Sequence, residues 1–343
     1  MIFCSYVQNL LIVILEKGIR ITMNFTVTSS PHIRGNNRTK RIMLDVLIAL
    51  LPTVVMSVVC FGVRAILIEA VCIGAALVGE WLWRQMTKQH NTLMDGSAIV
   101  TGLLLAFTLP VSVPWWVAAI GSLFAVIVVK GMCGGLGQNM FNPALAARAF
   151  LLAVWPVHIT RFVASEYKMT ISMAADAVSS PTPLHEMQMQ ALPDISLPEM
   201  LIGSVGGCIG EVSALALLLG GVYLIFRKVI SPRIPLAYIG SVASLTLVFS
   251  KGDSPVLWMV YSLLEGGVLL GAIFMATDYA TSPVNPKGQI LYGIGAGILT
   301  VFFRYTGLFP EGVTYAILLM NAAVWLIDQK TAPRRFGWKK GAA

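Results

Sequence analysis

The hydroxyl groups best placed for chemical modification lie in one polar segment, residues 157–197, between two long apolar regions. Four polar side chains fall within seven residues of it: Asp176, Ser179, Ser180 and Thr182. Because Pro183 biases the residue before it towards an extended backbone, the Thr182 hydroxyl would be presented to a modifying enzyme. The same composition is also typical of a solvated loop rich in turn-forming residues. The residues alone leave both interpretations open.

A second group of candidates consists of charged residues inside apolar sequence. Glu80, Glu211 and Glu265 are each flanked by apolar or glycine residues, and Arg148 lies within NPALAARAF. Because charges within a membrane are costly, these side chains are candidates for an ion pathway. The simpler role for Arg148 is to pair with one of the acids. Other acids lie nearer the ends of apolar runs, where a carboxylate reaches water or caps a helix: Asp45, Glu69, Asp95 and Asp278.

The sequence predicts no metal site. The five cysteines are scattered, with no CxxC and no neighbouring histidine, so the spacing typical of a metal cage is missing. The chain also has neither a GxGxxG motif nor a P-loop. We therefore expect any nicotinamide chemistry to take place on another subunit.

The composition indicates an all-α polytopic membrane protein. Of 343 residues, 57% are hydrophobic and only 12% are charged, with a mean hydropathy of +0.78; a soluble domain carries roughly 25% charged residues. About ten apolar runs predict transmembrane helices, of which the run 95–110 is short for a bilayer. They cover residues 42–63, 66–84, 95–110, 114–130, 139–156, 211–228, 233–250, 256–277, 288–305 and 312–329. The net charge of +8 is spread in short clusters between these runs, which argues against nucleic-acid binding.

The distribution of lysine and arginine predicts the orientation and the domains. Basic residues are concentrated in alternate loops, with Lys130 assigned to an inside loop and Arg64 and Arg304 to outside loops, so both termini are expected to be cytoplasmic. The predicted units are a cytoplasmic segment 1–41, a first five-helix repeat 42–156, an extracytoplasmic loop 157–197, a second repeat 198–329 and a basic cytoplasmic tail 330–343. We expect Met23 to be the natural start, with residues 1–22 either not native or a helix lying on the surface.

Weak internal similarity favours a duplication. Asp95-Gly96-Ser97-Ala98 resembles Glu211-Val212-Ser213-Ala214, and Gly121 precedes Lys130 by nine residues, as Gly295 precedes Arg304. Five-plus-five duplication is common among transporters. The Gly-rich stretch 200–210 is too short to span a membrane, and we expect it to be a re-entrant or broken element buried against protein.

Several longer stretches together carry a family resemblance. The most specific are MDGSAIVTGLLLAFTLP, GGLGQNMFNPALAARAFLLAVWP and MATDYATSPVNPKGQILYGIGAGILT. In these stretches the chain resembles the RnfD family, the D-type membrane component of the Rnf ion-translocating electron-transport complex, which is related to NqrB of the Na⁺-pumping NADH:quinone reductase. The resemblance runs from about residue 29 to residue 328 in the family's order.

The resemblance implies a covalent flavin. In the family, FMN is joined through its phosphate to a threonine of an S-x-A-T-like motif outside the membrane. Here Ser179-Ser180-Pro181-Thr182 occupies that place, which makes Thr182 the expected attachment residue, with Asp176, Ser179 and Ser180 as supporting residues. Pro181 departs from the usual alanine; proline removes a backbone donor and fixes φ, which bears on recognition by a flavin transferase.

A second, non-covalently held flavin, riboflavin, is also implied within the membrane portion. Two Gly-rich elements, 131–137 and 203–210, would let backbone approach a flavin ring closely. Tight helix packing through small residues is the alternative explanation of the same glycines. The residues do not decide between them.

The resemblance further implies a urea-transporter-like duplicated helical bundle in the cytoplasmic (inner) membrane of a bacterium. The implied function is electron transport of the ferredoxin:NAD⁺ type coupled to Na⁺ or H⁺ transport. The expected partners are Rnf subunits of the A, B, C, E and G types, a flavin transferase and the lipid bilayer. Two alternatives are a urea- or ammonium-like solute channel without redox function and a structural membrane anchor, neither of which needs the segment with Thr182.

Overall fold

The computed structural model describes residues 39–88, 93–163, 183–189, 193, 196–203, 206–211, 213–252, 254–265, 267–307 and 312–333. Regular structure in these ranges is helical, and one isolated antiparallel bridge joins Pro110 to Cys208. The prediction of an all-α membrane protein is therefore confirmed. The count of ten spans and the division into two five-helix repeats stay predictions.

The helices before the polar segment follow the predicted apolar runs. They are α1 (Thr39–Phe61), α2 (Val63–Thr87), α3 (Ser97–Phe107), α4 (Trp115–Gly131, π-helical from Phe124) and α5 (Pro143–Val154). Helices α1 and α2 are long and apolar enough to cross a membrane, with 23 and 25 residues and mean hydropathies of 2.5 and 1.9. Helix α3 is much shorter than its predicted run of 95–110, because Gly96 begins it in a left-handed conformation and Pro110 follows its end.

The later helices are shorter on average, and two of them form a bent helix pair. They are α6 (Pro156–Ile159), α7 (Pro183–Gln188), α8 (Leu197–Ile202), α9 (Ala214–Phe226), α10 (Arg233–Val248), α11 (Pro255–Leu264), α12 (Val268–Met275, π-helical from Gly271), α13 (Pro286–Thr306) and α14 (Val313–Thr331). Helices α11 and α12 are bent by 61° at their break and together could form a third membrane span. The predicted run 256–277 is thus a bent helix pair.

Polar contacts show which helix ends meet. Asp45, near the start of α1, accepts hydrogen bonds from Tyr223 (3.2 Å) and Arg227 (3.1 Å) at the end of α9, so these two helices are antiparallel. Helices α10 and α13 are joined by a 2.6 Å hydrogen bond between the hydroxyls of Tyr238 and Thr300. Large apolar side chains that face away from the bundle stay exposed, as expected where lipid is the solvent: Leu51, Val55, Val59, Phe226 and Leu236.

Direct hydrogen bonds join residues before and after the polar segment. Asn142 caps α5 by accepting from Ala144 N (3.0 Å), and its Nδ2 donates to Met275 O (3.1 Å) at the end of α12. Ile209 N donates to Leu109 O and Gly210 N to Phe107 O, both at 2.9 Å. Cys208, Ile209 and Gly210 of the Gly-rich stretch therefore lie buried against the end of α3, as the sequence predicts for a broken element, whereas Leu201 and Ile202 are exposed.

Candidate functional site

The structure describes the helix that follows the candidate attachment site. Thr182 and its motif residues Asp176, Ser179 and Ser180 lie outside the described residues. Helix α7 begins at the next residue, Pro183. Its Leu184 and Met187 are buried, so the chain is held against the bundle immediately after Thr182.

Helix α7 packs on the start of α11. Met187 belongs to a buried cluster with Met200, Trp258 and Tyr261. The indole Nε1 of Trp258 donates to Tyr305 Oη on α13 at 2.9 Å. The cluster therefore joins α7 to the end of the bundle where α11 begins and α13 ends.

The break between α11 and α12 contains a buried acid and a buried base. Arg304 donates to Ser262 O (2.6 Å) and Glu265 O (2.8 Å), which are carbonyls left without helical partners where α11 ends. Both carboxylate oxygens of Glu265 are buried and have no hydrogen-bond partner among the described residues. The guanidinium of Arg304 acts electrostatically on that carboxylate as a compensating charge.

A second acid and base lie next to this break. Arg148 Nη1 is 3.9 Å from Glu211 Oε1, and its Nη2 is 3.4 Å from Cys208 Sγ. Glu211 also interacts electrostatically with Arg304. We define Arg148, Glu211, Glu265 and Arg304 as the central charge cluster, whose formal charges sum to zero. Such compensation is what allows charges to be buried in a membrane bundle.

A similar arrangement lies at the start of α3. Lys130 Nζ lies 3.0 Å from Glu80 Oε1 and 2.7 Å from Ser97 Oγ, at the first residue of α3. Helices α3 and α12 are both short, and each begins after a glycine with positive φ: Gly96 at 77° and Gly267 at 69°. In both places a cation on the next long helix contacts the backbone or side chain at the break.

All four charged candidates from the sequence lie in these contacts: Glu80, Glu211, Glu265 and Arg148. Arg148 takes the simpler role of pairing with an acid. Lys130 and Arg304 were expected in loops, but both are buried, because each satisfies groups at a helix break. Gly121 precedes Lys130 by nine residues, as Gly295 precedes Arg304, and the internal repeat that this spacing favours stays a prediction.

The two breaks each contact a buried cation, but through different groups. Lys130 donates to the side chain of Ser97 at the start of α3, whereas Arg304 donates to the backbone carbonyl of Glu265 at the end of α11. The match of Asp95–Ala98 with Glu211–Ala214 stays a prediction.

Arg64 is a third buried cation that the sequence placed in a loop. Its Nε donates to Val111 O (2.9 Å) and its Nη2 to Val113 O (3.2 Å), in the turn between α3 and α4. The side chain is 6% exposed. Arg64 therefore stabilises irregular backbone, and it belongs to the same class of contact as Arg304.

A cavity of about 790 Å³, partly open to solvent, lies near the start of α1 and the end of α12. Its lining is mostly apolar, with Thr101, Lys130, Asn139 and Asp278 among the polar residues. The buried Oδ1 of Asn139 has no hydrogen-bond partner among the described residues. Leu136, from the Gly-rich element 131–137, also lines this cavity.

Comparisons with known proteins identify the relatives of this chain. The model of the NQR2, RnfD, RnfE family matches residues 26–337. The chain is 46% identical over 323 residues to the RnfD-type component of the Na⁺-translocating ferredoxin:NAD⁺ oxidoreductase complex of Acetobacterium woodii, covering 93% of this chain and 97% of that protein.

Two further relatives carry related names. The corresponding component of the proton-translocating ferredoxin:NAD⁺ oxidoreductase complex of Clostridium ljungdahlii is 41% identical, covering 92% of this chain and 97% of that protein. The corresponding component of the ion-translocating oxidoreductase complex of Escherichia coli is 34% identical, covering 93% of this chain and 100% of that protein.

The geometry of the break can be tested with two glycine substitutions. A Cβ at Gly267 would lie 2.5 Å from Glu211 Oε1, and φ there is +69°. We expect Gly267→Ala to destabilise the protein by about 1–3 kcal/mol, because a non-glycine residue is strained in this region. Gly240 on α10 has no atom within 4 Å of an added Cβ. The Gly240→Ala control should melt at or above the wild-type temperature; equal melting of both variants would contradict the geometry.

Proposed function

The chain belongs to the NQR2, RnfD, RnfE family and is a membrane subunit of a multi-subunit ion-translocating oxidoreductase complex, and from this premise we propose that it carries electrons through an FMN attached covalently to Thr182. The observation that carries the proposal is that Pro183, the residue after Thr182, begins a helix packed on the bundle. A tethered group would therefore start at a fixed point on the protein.

The attachment is a phosphoester. The Oγ of Thr182 forms a bond to the FMN phosphorus, the hydroxyl proton is lost, and the phosphoanhydride bond of a flavin dinucleotide donor breaks to release its nucleotide part. A flavin transferase catalyses this step, and we propose that it reads Asp176, Ser179 and Ser180. When bound, FMN supplies one- and two-electron transfer, and the protein positions it and sets its electrostatic environment.

We propose the four charged candidates as part of the ion pathway. Glu265 is the strongest, because its buried carboxylate has no hydrogen-bond partner among the described residues and lies beside carbonyls at a helix break. Carboxylate and carbonyl oxygens are the ligands that hard cations use, and a carboxylate can equally take a proton. Glu211 acts electrostatically on this acid and pairs with Arg148, whereas Glu80 is held by Lys130. Na⁺ and H⁺ are the two candidate ions, as in the names of the relatives.

We also propose a non-covalent riboflavin in the cavity near α1 and α12. The mostly apolar lining of the cavity suits a flavin ring. Asn139 Oδ1 would accept a hydrogen bond from a ring N–H, which would satisfy its buried oxygen. Of the two Gly-rich elements, 131–137 borders this cavity through Leu136, whereas 206–210 packs on α3.

The chain is a multi-pass bacterial membrane protein, and we propose its orientation and partners. Both termini are cytoplasmic, the segment 157–197 is outside, and two repeated halves pair the break at Gly96 with the break at Gly267. The other Rnf subunits, which would supply the nicotinamide and ferredoxin sites, are the partners. The solute-channel alternative requires no flavin on this chain, so the flavin test below also decides between the two functions.

The orientation is testable with two cysteines. Cys133 is exposed in the turn after α4, on the side proposed to be cytoplasmic. In Ser165→Cys, we expect an impermeant thiol reagent to label position 165 in intact cells and Cys133 only in inverted membrane vesicles. Labelling of position 165 only from the cytoplasmic side would overturn the orientation.

Covalent attachment is testable by in-gel flavin fluorescence of the chain co-expressed with a flavin transferase. We expect a fluorescent band for the wild type and none for Thr182→Ala, because the phosphoester survives denaturation. Thr170→Ala, in the same segment, is the matched control and should stay fluorescent. A dark wild-type band, or a fluorescent Thr182→Ala band, contradicts the proposal. The amount of non-covalent flavin that the same denaturation releases per chain tests whether riboflavin is bound.

The ion pathway is testable with Glu265→Gln, which keeps the size of the side chain and removes its charge. We expect ion binding to weaken roughly ten- to a hundredfold, the effect of losing a charged ligand worth about 1.5–3 kcal/mol. The measurement is ion uptake during electron transfer in inverted vesicles at a series of ion concentrations, and the concentration for half-maximal uptake reports the binding. Glu199 is an exposed acid whose Oε2 accepts from Ser196 N at 3.1 Å, so Glu199→Gln is the control. Unchanged uptake in Glu265→Gln would exclude this residue.

A further inference from the structure

Helix α2 contains a buried acid that the charge clusters described above do not include. Glu69 lies in the second turn of the helix and is 5% exposed. The sequence placed it near the end of an apolar run, where a carboxylate reaches water, but in the fold it faces α1. Its Oε1 lies 2.7 Å from the hydroxyl oxygen of Ser57. Glu80 follows eleven residues later, about 16 Å further along the helix.

Glu69 forms no ion pair with any residue that the structure describes. Arg64, five residues earlier on α2, donates instead to Val111 O and Val113 O. Lys130 on α4 is paired with Glu80. Helix α3 carries no charged residue. The other charged residues of the elements packed on α2, and of α2 itself, lie at the end of the bundle where α1 begins and α2 ends: Lys40, Arg41, Asp45, Arg84 and Asp95.

Two thiols are the titratable groups closest to Glu69 in sequence on these helices. Cys60 lies on α1, and Cys72 lies one turn after Glu69 on α2. The Cys72 thiol points to Ala118 O on α4, with the sulfur 3.9 Å from that oxygen. Neither thiol is a hydrogen-bond partner of Glu69. Burying an uncompensated carboxylate is costly, whereas a neutral carboxylic acid needs only a hydrogen-bond partner.

The hydrogen bonds around Ser57 accommodate both charge states of Glu69. Ser57 Oγ lies within hydrogen-bond distance of two acceptors, Glu69 Oε1 at 2.7 Å and Val54 O at 2.8 Å, but a hydroxyl has one proton to donate. When Glu69 is protonated, the acid donates to Ser57 and Ser57 donates to Val54 O. When Glu69 is ionised, Ser57 donates to the carboxylate, and Val54 O keeps its helical hydrogen bond. Neither state requires a heavy atom to move.

The short distance between Glu69 and Ser57 favours a proton over a metal cation. Oxygen ligands lie about 2.4 Å from a hard cation, so two of them at right angles are about 3.4 Å apart. The oxygens of Glu69 and Ser57 are 2.7 Å apart, which is the usual length of a hydrogen bond between two oxygens. The pair is therefore arranged to share a proton.

A second hydroxyl continues the polar face of α1. Thr53 precedes Ser57 by one helical turn, so the two side chains lie on the same face, about 6 Å apart along the helix. Thr53 is 2% exposed, and its Oγ1 has no hydrogen-bond partner among the described residues. Thr246 and Thr300, by contrast, donate to the carbonyl four residues earlier. A buried hydroxyl calls for a partner, and one water molecule can bridge two hydroxyls at this spacing.

We propose that Glu69 and Ser57 form a reversible proton-binding site between α1 and α2, separate from the central charge cluster. Protonation forms one O–H bond at Glu69 Oε1, and the Ser57 hydroxyl turns from the carboxylate to Val54 O. Deprotonation reverses both changes and releases one proton to water along the face of α1 that carries Thr53. No other reactant takes part. The site does not depend on the attachment of FMN.

Infrared difference spectroscopy of the assembled complex tests the site through the carbonyl band of a protonated carboxyl group. We expect the wild type to gain such a band as the pH falls and to lose it as the pH rises. The band should be missing in Glu69→Gln at every pH. It should persist in Glu199→Gln, the control at an exposed acid. A Glu69 band that is constant at all pH values, or no Glu69 band at any pH, overturns the proposal.

A second variant tests the role of Ser57 and needs no change at Glu69. In Ser57→Ala the ionised carboxylate loses its donor, so the midpoint of the titration should move to higher pH by about one to two units. Ser244 is the matched control, because it also donates to the carbonyl three residues earlier but is exposed; Ser244→Ala should keep the wild-type midpoint. Equal midpoints in Ser57→Ala and the wild type contradict the pairing. Loss of the band on addition of Na⁺ at constant pH identifies a cation site instead and contradicts the proton assignment.

Discussion

The bundle depends on the compensation of charge that is buried away from water. Glu80 with Lys130, and Arg148 and Arg304 with Glu211 and Glu265, place cations and anions together in the interior. In a low-dielectric surrounding an isolated charge of this kind would be costly, whereas a matched set is tolerated when each member finds a partner. Removing one member leaves the charge of its partner uncompensated, so a substitution at one residue also affects the residues paired with it.

The same constraint governs irregular backbone. Lipid offers no hydrogen bonds, so a broken helix inside a membrane protein must find internal partners for its free carbonyls and amides. Arg304 serves the end of α11, Arg64 serves the turn after α3, and the amides of Ile209 and Gly210 serve the end of α3. Each break is therefore stabilised by specific contacts within the bundle. They are also where the candidate ion-pathway carboxylates lie.

Much of this was predictable from one sequence. The apolar runs indicated the helices, because hydrophobicity over about 20 residues reflects the membrane directly. The apolar sequence on either side of four charged residues identified them as candidates, because charges are rare inside membrane helices. These residues are Glu80, Glu211, Glu265 and Arg148. Lys130 and Arg304 were misplaced because they lie close to the ends of apolar runs, and their partners are more than 30 residues away in sequence. A pattern read from a short stretch of sequence cannot reveal contacts between residues so far apart.

Arg304 donates to the carbonyls of Ser262 and Glu265 and interacts electrostatically with both Glu211 and Glu265. One fixed cation thus compensates two buried acids. Neutralising one acid leaves more of that compensation to the other, so the charge states of Glu211 and Glu265 depend on each other. Thermodynamic linkage makes that influence reciprocal, with the same free energy in both directions.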